Sequence, residues 1–263
     1  MTEYSKNSGS TFTRGLGILA LFSTTTPLLS AEDIAVRLGY TRSTAYRYLK
    51  DLADAGLISP ASGGSYSLGP RIIELERMLA LTDPLYLAGA SVLPAHRRED
   101  SVLLLHSLYQ DKVLCIYKIG PDVLQHNGQR ITIRRARGIP FSLYQGAASL
   151  AMLPYLSQHR IRQTYLRDQK QITAAGLGSD WAEFRRHMTA IRRAGFATSR
   201  GQITPLVMGV AVPILLPDDQ RLIGSLARAC HVAAMPQEQE AACADELRIL
   251  GQQIAQEYVK VAN

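Results

Sequence analysis

Residues 41–50 concentrate side chains that suit contact with DNA. Arg42, Arg47 and Lys50 are positively charged, and no acidic residue lies between them. Arginine can read a guanine edge with two hydrogen bonds, whereas hydroxyl groups commonly bond phosphate oxygens. We therefore expect Arg42 and Arg47 to reach base edges or phosphates. The segment supplies further phosphate contacts that would fix the register on the duplex: Thr41, Ser43, Thr44, Tyr46 and Lys50.

Two short predicted helices position this segment. Ser30 suits the N-cap of a helix over 31–38, which Gly39 ends. Thr41 then begins a second helix that runs to about Ala55. Its apolar residues follow helical spacing on the side away from the basic residues: Ala45, Tyr48, Leu49 and Leu52. Two short helices joined by a tight turn, with a basic first turn on the second, are typical of a helix-turn-helix.

The flanking segments complete a small domain. Segment 12–22 predicts a helix with Leu16, Leu19 and Ala20 on one face, and Arg14 near its start is placed to contact the DNA backbone. Short strands over 57–59 and 65–68 enclose the turn 60–64, and this hairpin reads as a wing. The alternative is a small helical domain with an attached hairpin and no DNA role.

Patterns typical of catalysis, metal binding and cofactor binding are missing from the sequence. The six histidines do not lie at metal-ligand spacing from cysteine or acidic residues, and the three cysteines form no CxxC pair. Gly15-Leu-Gly17 lacks the preceding strand and the third glycine of a dinucleotide loop. We therefore expect no enzyme activity, no metal and no cofactor.

The net charge of +7 does not itself locate the DNA contact. Residues 1–83 carry eight basic and eight acidic residues, so the whole excess lies in 84–263. Two basic clusters lie there: Arg130, Arg134, Arg135 and Arg137, and Arg185, Arg186, Arg192 and Arg193. They predict solvated faces or ion pairs between subunits. Alternatively, one cluster attracts an anionic effector or supports flanking DNA in a tetramer. The polar start and the absence of a run of about 18 apolar residues predict a cytoplasmic protein without a membrane partner.

Several motifs together resemble the IclR-type transcriptional regulators. They are Arg14-Gly-Leu16, Ser43-Thr-Ala-Tyr-Arg47, Gly56-Leu-Ile58 and Tyr66-Ser-Leu-Gly69. The resemblance implies an α+β protein with a winged helix-turn-helix DNA-binding domain over 1–69, a linker helix over 70–83 and a GAF-like mixed α/β effector-binding domain over 84–263. Within the last domain we expect strands over 101–109, 112–119, 130–134, 210–216 and 221–230, and helices over 145–156, 161–167, 181–194 and 236–261.

The family's effector-loop pattern is altered in this chain. Tyr144 and Ser149 stand where the family usually has His and Gly, and Gln202 stands where Glu is usual. Ala227 and Ala229 replace two serines. The candidate effector residues are Tyr144, Gly146, Ala147, Arg200, Gln202, Ala227 and Ala229. Lost polar groups favour a larger, more apolar or aromatic effector, or a pocket that no longer binds one.

Two groups in this region are candidates for an anionic or carbonyl group of the effector. The amides of Gly146 and Ala147 lie at a predicted helix start. Arg200 is either a bidentate partner of a ligand carboxylate or a solvated loop residue.

These features predict a transcriptional regulator, repressor or activator, that binds double-stranded operator DNA as a homodimer. In the family, dimers also pair into tetramers. A small-molecule effector would control it through the C-terminal domain. Two alternatives remain: the same architecture with a vestigial effector pocket, and a ligand-binding module that uses its helix-turn-helix for protein contact.

Overall fold

The computed structural model describes residues 10–133 and 137–262, and its contacts divide the chain into two units, Met1–Thr82 and Asp83–Asn263. The first unit contains α1 (Thr11–Leu16), β1 (Leu29–Ser30), α2 (Ala31–Leu38), α3 (Arg42–Asp54), β2 (Ile58–Pro60), β3 (Ser65–Leu68) and α4 (Arg71–Thr82). The three strands form an antiparallel sheet in the order β1-β3-β2.

Local hydrogen bonds at the helix ends explain the positions of α2 and α3. The Ser30 hydroxyl accepts from the Asp33 amide, and the Asp33 carboxylate accepts from the Ser30 amide in return, which is a capping box. Gly39 ends α2 in the left-handed conformation with φ 70°. The Thr41 hydroxyl then accepts from the Thr44 amide and begins α3. The predicted helix-turn-helix is confirmed.

The buried side chains of this unit come mainly from α2 and α3. Ile34, Tyr48 and Leu49 pack with Ile18 and Leu29 into one apolar cluster. The predicted inner face of α3 is confirmed, since all four of its apolar residues are buried: Ala45, Tyr48, Leu49 and Leu52.

The first helix differs from its prediction in both length and face. α1 ends at Leu16, and the residues that follow form a 3-10 turn over Gly17–Leu21. Leu16 is exposed, whereas Gly15 is buried against the ring of Tyr48. The small residue faces inward because the Tyr48 ring of α3 lies in van der Waals contact with the position that a Gly15 side chain would occupy.

The second unit is built on a six-stranded antiparallel sheet. Its elements are α5 (Pro84–Val92), β4 (Ser101–Tyr109), β5 (Lys112–Ile119), β6 (Val123–His126), β7 (Gln129–Thr132), β8 (Pro140–Ser142), α6 (Ala147–Met152), α7 (Gln158–Ala174), α8 (Trp181–Ala194), β9 (Ala197–Arg200), β10 (Val207–Leu215), β11 (Leu222–His231) and α9 (Glu240–Ala262). The strand order is β8-β5-β4-β11-β10-β9, and β6 and β7 pair separately.

The alternating faces of this sheet support two apolar clusters. Leu103 and Leu105 of β4 pack with α5 and α9 on one side. Leu104, from the same strand, packs with the cluster of α6, α7 and α8 on the other side. Period-two alternation therefore covers both faces of the sheet with helices, and the predicted mixed α/β architecture is confirmed.

Several predicted boundaries in this unit were wrong. The helix expected over 145–156 is α6 followed by a 3-10 turn at Leu153–Tyr155 that contains Pro154, which has no amide hydrogen to donate. The helix expected over 161–167 extends over all of α7. The strand expected over 130–134 is β7, paired only with β6, and Arg134 lies outside the described residues.

No single helix within the described ranges is long and apolar enough to cross a membrane. The consecutive segments Arg71–Thr82 and Pro84–His96 pass such a test together, by length and composition only.

Candidate functional site

The outer side of α3 carries an exposed set of polar and basic side chains, which we call the α3 polar face: Arg42, Ser43, Tyr46, Arg47 and Lys50. Successive helical residues are about 100° apart, so these positions share one side of the helix. The buried residues lie on the opposite side. Thr41 and Thr44 are joined through their hydroxyls at 2.9 Å, and both take part in the N-cap.

The two arginines of the α3 polar face have different local partners. Arg42 Nη2 lies 3.2 Å from Oε1 of Glu32 on α2, and both side chains are exposed. The Arg47 guanidinium lies over the ring of its neighbour Tyr48, 5.2 Å from the ring centre. Exposed ion pairs and cation–π contacts each contribute about 1 kcal/mol or less, so neither contact prevents these arginines from binding a phosphate or a base.

Arg14 is held beside the start of α3. Its guanidinium lies over the ring of Tyr40 at 4.9 Å from the centre, and the Tyr40 hydroxyl donates to the carbonyl oxygen of Arg14 at 3.0 Å. Tyr40 directly precedes the N-cap of α3. The structure therefore ties α1 to the first turn of α3, on which the α3 polar face begins.

The hairpin of β2 and β3 ends in an exposed glycine turn. Gly63 and Gly64 have φ of 68° and 71°, which favours glycine, and no side chain surrounds either position. At the base of the hairpin, a β-carbon on Gly69 would overlap the carbonyl oxygen of Gly56 and lie 2.9 Å from the carbonyl carbon of Ile58. The glycine of the Tyr-x-Leu-Gly motif is thus required by close backbone packing.

A cavity of about 90 Å³ lies in the second unit between α6 and the sheet. Five of the predicted effector residues line it: Gly146, Ala147, Gln202, Ala227 and Ala229. Tyr144 does not; it packs against the apolar cluster of α6, α7 and α8 instead. Binding pockets for small molecules usually measure about 300–1,000 Å³. At about 90 Å³ this cavity is smaller, so the replacement of two serines by Ala227 and Ala229 has not produced a large pocket.

The amides expected to bind an anion or a carbonyl group are occupied by the chain's own side chains. The Gly146 amide donates to Gln202 Oε1 at 3.1 Å, and the Ala147 amide donates to Ser199 Oγ at 3.0 Å. The Gln202 side-chain oxygen therefore accepts the hydrogen bond that a carbonyl group of a ligand would accept at the start of α6.

The proposed pairing of Arg200 with a ligand carboxylate is wrong for this conformation. Its Nη2 lies 2.5 Å from Glu240 Oε1 and also donates to the carbonyl oxygen of Met235 at 3.0 Å. Glu240 begins α9, so Arg200 joins the end of β9 to that helix and does not line the cavity. Arg200 is exposed, as the solvated interpretation expected, but it lies on β9 rather than in a loop and is paired with Glu240.

Two cavity residues were missed from the sequence. His106 lies on β4 and Ser149 on α6, and both line the cavity and are buried. Burial lowers the pKa of His106 to about 4, while hydrogen bonds with the backbone of Ser225 and Leu104 act in the opposite direction. The available signals were a histidine on the same strand face as Leu104 and the serine at the family's glycine position.

The remaining candidates for reactive chemistry are enclosed. The three cysteines are buried, and burial raises the pKa of Cys115 to about 12 and that of Cys230 to about 11. Within 10–133 and 137–262, no group of three His, Cys, Asp or Glu side chains is arranged to hold a metal ion.

Some arginines of the two predicted basic clusters contact other residues of the chain. Arg192 donates to the carbonyl oxygen of Pro154 at 3.2 Å, and Arg186 lies 3.7 Å from Glu183. Arg137 donates to the carbonyl oxygen of Ile116 at 3.1 Å. Arg134 and Arg135 lie outside the described residues.

Comparison with known families supports both halves of this description. Residues 11–61 match the IclR helix-turn-helix domain, and residues 96–256 match the bacterial transcriptional regulator IclR C-terminal domain. The chain is 30% identical over 69% of its length to the HTH-type transcriptional regulator Rv1719 of Mycobacterium tuberculosis, covering 68% of that protein. It is 21% identical over 83% of its length to the HTH-type transcriptional regulator KipR of Bacillus subtilis, covering 85% of that protein.

Solved structures share the same fold. An IclR transcriptional regulator from Alicyclobacillus acidocaldarius superposes with a TM-score of 0.74 at 22% identity, over 95% of this chain and 99% of that one. An IclR homologue from Microbacterium hydrocarbonoxydans, solved in complex with 4-hydroxybenzoate, gives a TM-score of 0.66 at 20% identity, over 95% and 100% of the two chains.

Proposed function

The chain belongs to the IclR family of transcriptional regulators, and we propose that it binds a palindromic operator as a homodimer under the control of a small molecule. It has the family's helix-turn-helix DNA-binding domain and C-terminal effector-binding domain. The family consists of regulators rather than enzymes. Because its partner would be operator DNA, we place its action in the cytoplasm.

The observation that carries the operator proposal is the α3 polar face beside the exposed hairpin. A recognition helix reads the major groove with residues of its first turns, and Arg42 and Arg47 lie in that part of α3. We propose that these arginines contact bases or phosphates. Thr41, Ser43, Thr44, Tyr46 and Lys50 would fix the register, and Arg14 would contact the backbone of the DNA.

The homodimer proposal rests on exposed apolar side chains of the first unit. Phe12 on α1 is 74% exposed, and Ile73 and Leu79 on α4 are 73% and 64% exposed. Isolated exposed apolar residues are common on protein surfaces, but several on two helices indicate a contact surface. We propose that a second copy of the chain covers them and thereby presents two α3 helices to the two half-sites of a palindrome.

Sedimentation velocity tests the dimer. We expect Ile73→Glu to shift the chain toward monomer and to weaken operator binding, because a charged carboxyl group would be buried at the interface. Ile249→Glu is the matched control, since Ile249 is 58% exposed on α9 of the other unit. An Ile73→Glu protein that sediments like the wild type would exclude this surface. The same runs report whether dimers pair into tetramers.

Mobility shift with the chain's own promoter region tests operator binding, followed by footprinting of the retained fragment. We expect a protected palindrome whose half-site centres are about one helical turn, 34–36 Å, or a multiple of it apart. If no promoter fragment is retained at low salt, the helix-turn-helix serves protein contact instead.

The effector proposal rests on the family and on the cavity beside α6. The structure of a relative in complex with 4-hydroxybenzoate supports a small organic molecule as the effector. A second candidate, a vestigial pocket, is favoured by the small cavity and by the occupation of the Gly146 amide by Gln202. A thermal-shift screen separates the two, since a bound effector stabilises the folded protein in proportion to the logarithm of its concentration.

A further inference from the structure

Two buried polar atoms in the cavity beside α6 lack a hydrogen-bond partner among the described residues. They are Nδ1 of His106 and Oγ of Ser149. The two residues are 3% and 1% exposed, so bulk water does not reach them. An unpaired buried polar atom costs about 1–3 kcal/mol and is rare in native proteins. A partner from outside the chain would remove this cost.

The two atoms come from different elements around one apolar space. His106 lies on β4 of the sheet, and Ser149 lies on α6, which packs on that sheet. Leu104, Phe141 and Ile203 supply apolar surface to the same cavity. A molecule in this space would therefore meet apolar surface together with the polar groups of His106 and Ser149, and with the other polar side chains of the lining: Gln145, Ser199, Gln202 and Thr204.

No charged side chain among the described residues lines the cavity. Of the described residues on its walls, only His106 is titratable, and burial lowers its pKa to about 4, so the imidazole is neutral near pH 7. A carboxylate placed here would have no opposite charge, and the desolvation of an unpaired ion is strongly unfavourable. The amides of Gly146 and Ala147 do not compensate, because Gln202 and Ser199 already occupy them.

The free atoms instead suit a neutral hydrogen-bonding group. A serine hydroxyl both donates and accepts, and an imidazole nitrogen does one or the other according to its tautomer. A hydroxyl or a carboxamide carries both a donor and an acceptor, so it matches the hydrogen-bonding capacity of both residues.

We propose that the effector is an uncharged molecule with a compact apolar body and one hydroxyl or carboxamide group that hydrogen-bonds to His106 and Ser149. This inference rests on the proposed function, because it names the chemical class of the effector of the C-terminal domain.

The volume of the cavity limits the apolar body. At about 90 Å³ it is smaller than the cavity of about 150 Å³ known to admit benzene. A body of a few carbon atoms fits the conformation described here. A ring requires movement of Ile203, whose Cδ1 lies against Gly146, and of the neighbouring Gln202.

Matched pairs of neutral and charged probes test the proposal on the full chain. Isobutyramide and isobutyrate form the small pair, and benzamide and benzoate form the ring-sized pair. By thermal shift and isothermal titration at pH 7.5, we expect an amide to raise Tm and to bind at least about tenfold more tightly than its carboxylate. Tighter binding of a carboxylate, or no effect of either amide, would overturn the proposal.

Two serine variants separate ligand binding from structure. Ser149→Ala removes a hydroxyl that has no internal partner, so the free protein keeps or raises its Tm while amide affinity falls about tenfold. Ser225→Ala is the matched control: Ser225 is fully buried, and its hydroxyl donates to the Ala148 carbonyl oxygen at 3.1 Å. It should lower Tm and leave amide affinity within about twofold. If Ser149→Ala lowers Tm as Ser225→Ala does and spares amide binding, the role of Ser149 is structural.

Operator binding is measured on the same samples, so that failure of the neutral-effector proposal can be distinguished from failure of the operator-binding proposal. A protein that shifts its promoter DNA but ignores both amides refutes the neutral effector and leaves the regulator proposal standing. A protein that binds an amide through Ser149 but retains no DNA refutes operator binding and leaves the ligand site standing.

Discussion

Replacing Arg47 with alanine is the most direct test of the α3 polar face. Arg47 is exposed, and its guanidinium lies over the ring of Tyr48. Removing the side chain should therefore change the free energy of unfolding by no more than about 0.5 kcal/mol. Its effect on DNA binding then reports the interface rather than the fold.

The expected loss follows from two opposing contributions. A good arginine contact to a base contributes about 1–3 kcal/mol. If Arg47 leaves the Tyr48 ring on binding, about 0.5–1 kcal/mol of cation–π interaction is lost. The difference is about 0–2.5 kcal/mol per half-site, or about 1 kcal/mol at the middle of both ranges. A dimer uses two half-sites, so Arg47→Ala should weaken operator binding by about 2–3 kcal/mol, roughly thirtyfold to 150-fold, and by no more than about 5 kcal/mol.

Fluorescence anisotropy with labelled operator and an unrelated duplex, titrated at several salt concentrations, measures this loss. Base reading by Arg47 predicts a larger loss on the operator than on the unrelated duplex. A phosphate contact predicts an equal loss on both and a salt slope smaller by about one per subunit. Unchanged affinity, sequence preference and salt slope would refute the placement of Arg47 at the DNA.

Glu32→Gln is the complementary change on the same surface. Glu32 holds Arg42 in an exposed ion pair, which is worth up to about 1 kcal/mol. Its loss frees Arg42 and removes a negative charge near the proposed DNA. We therefore expect up to about fivefold tighter binding per half-site. Weaker binding would show that Glu32 positions Arg42 for the contact.

Two further predictions concern stability. Gly69→Ala should destabilise the DNA-binding domain by about 1–3 kcal/mol in denaturant unfolding because the added methyl group overlaps backbone, whereas Gly17→Ala, which meets nothing within 4 Å, should be neutral or stabilising. Glu246→Gln should cost about 1–2 kcal/mol, because Arg228, whose side chain is only 4% exposed and bonds Glu246 Oε2 at 2.6 Å, loses its carboxylate partner. Glu257→Gln should cost little, because its partner Lys260 is 68% exposed. The hydrogen bond from Arg228 lowers the pKa of Glu246 below its ordinary 4.5, so this stabilisation is complete above about pH 4.5 and is lost as the pH falls through the folded-state value. A flat difference between wild type and Glu246→Gln from pH 6 to pH 3 would contradict this.

Several helices and strands whose ends are set by contacts between residues close in the chain were predicted to within one residue. The caps at Ser30 and Thr41 join residues three positions apart. The helix expected over 181–194 is α8, which lies between the N-cap Asp180 and the left-handed Gly195. The wing strands were also found within one residue of their positions. Such signals are visible in a sequence because the interacting groups are neighbours along the chain.

Elements that depend on distant partners were not predicted. A single strand was predicted where the structure has the β6–β7 hairpin, which pairs separately from the six-stranded sheet among the described residues. The inner face of α1 was misassigned, since Tyr48 of α3 selects Gly15 rather than a larger residue.

The sequence by itself determined the class of protein, the helix-turn-helix and the placement of the charge excess outside the helix-turn-helix domain. Only the tertiary structure decided the state of the effector site. Among the described residues it leaves Nδ1 of His106 and Oγ of Ser149 without a hydrogen-bond partner. It also pairs Arg200 with Glu240 and bonds the Gly146 amide to Gln202. These partners lie 40 or more residues apart in the chain, and no local hydrogen bond or helical period connects them. Their pairing depends on how the sheet and α6 pack, which is decided by burial over the whole domain.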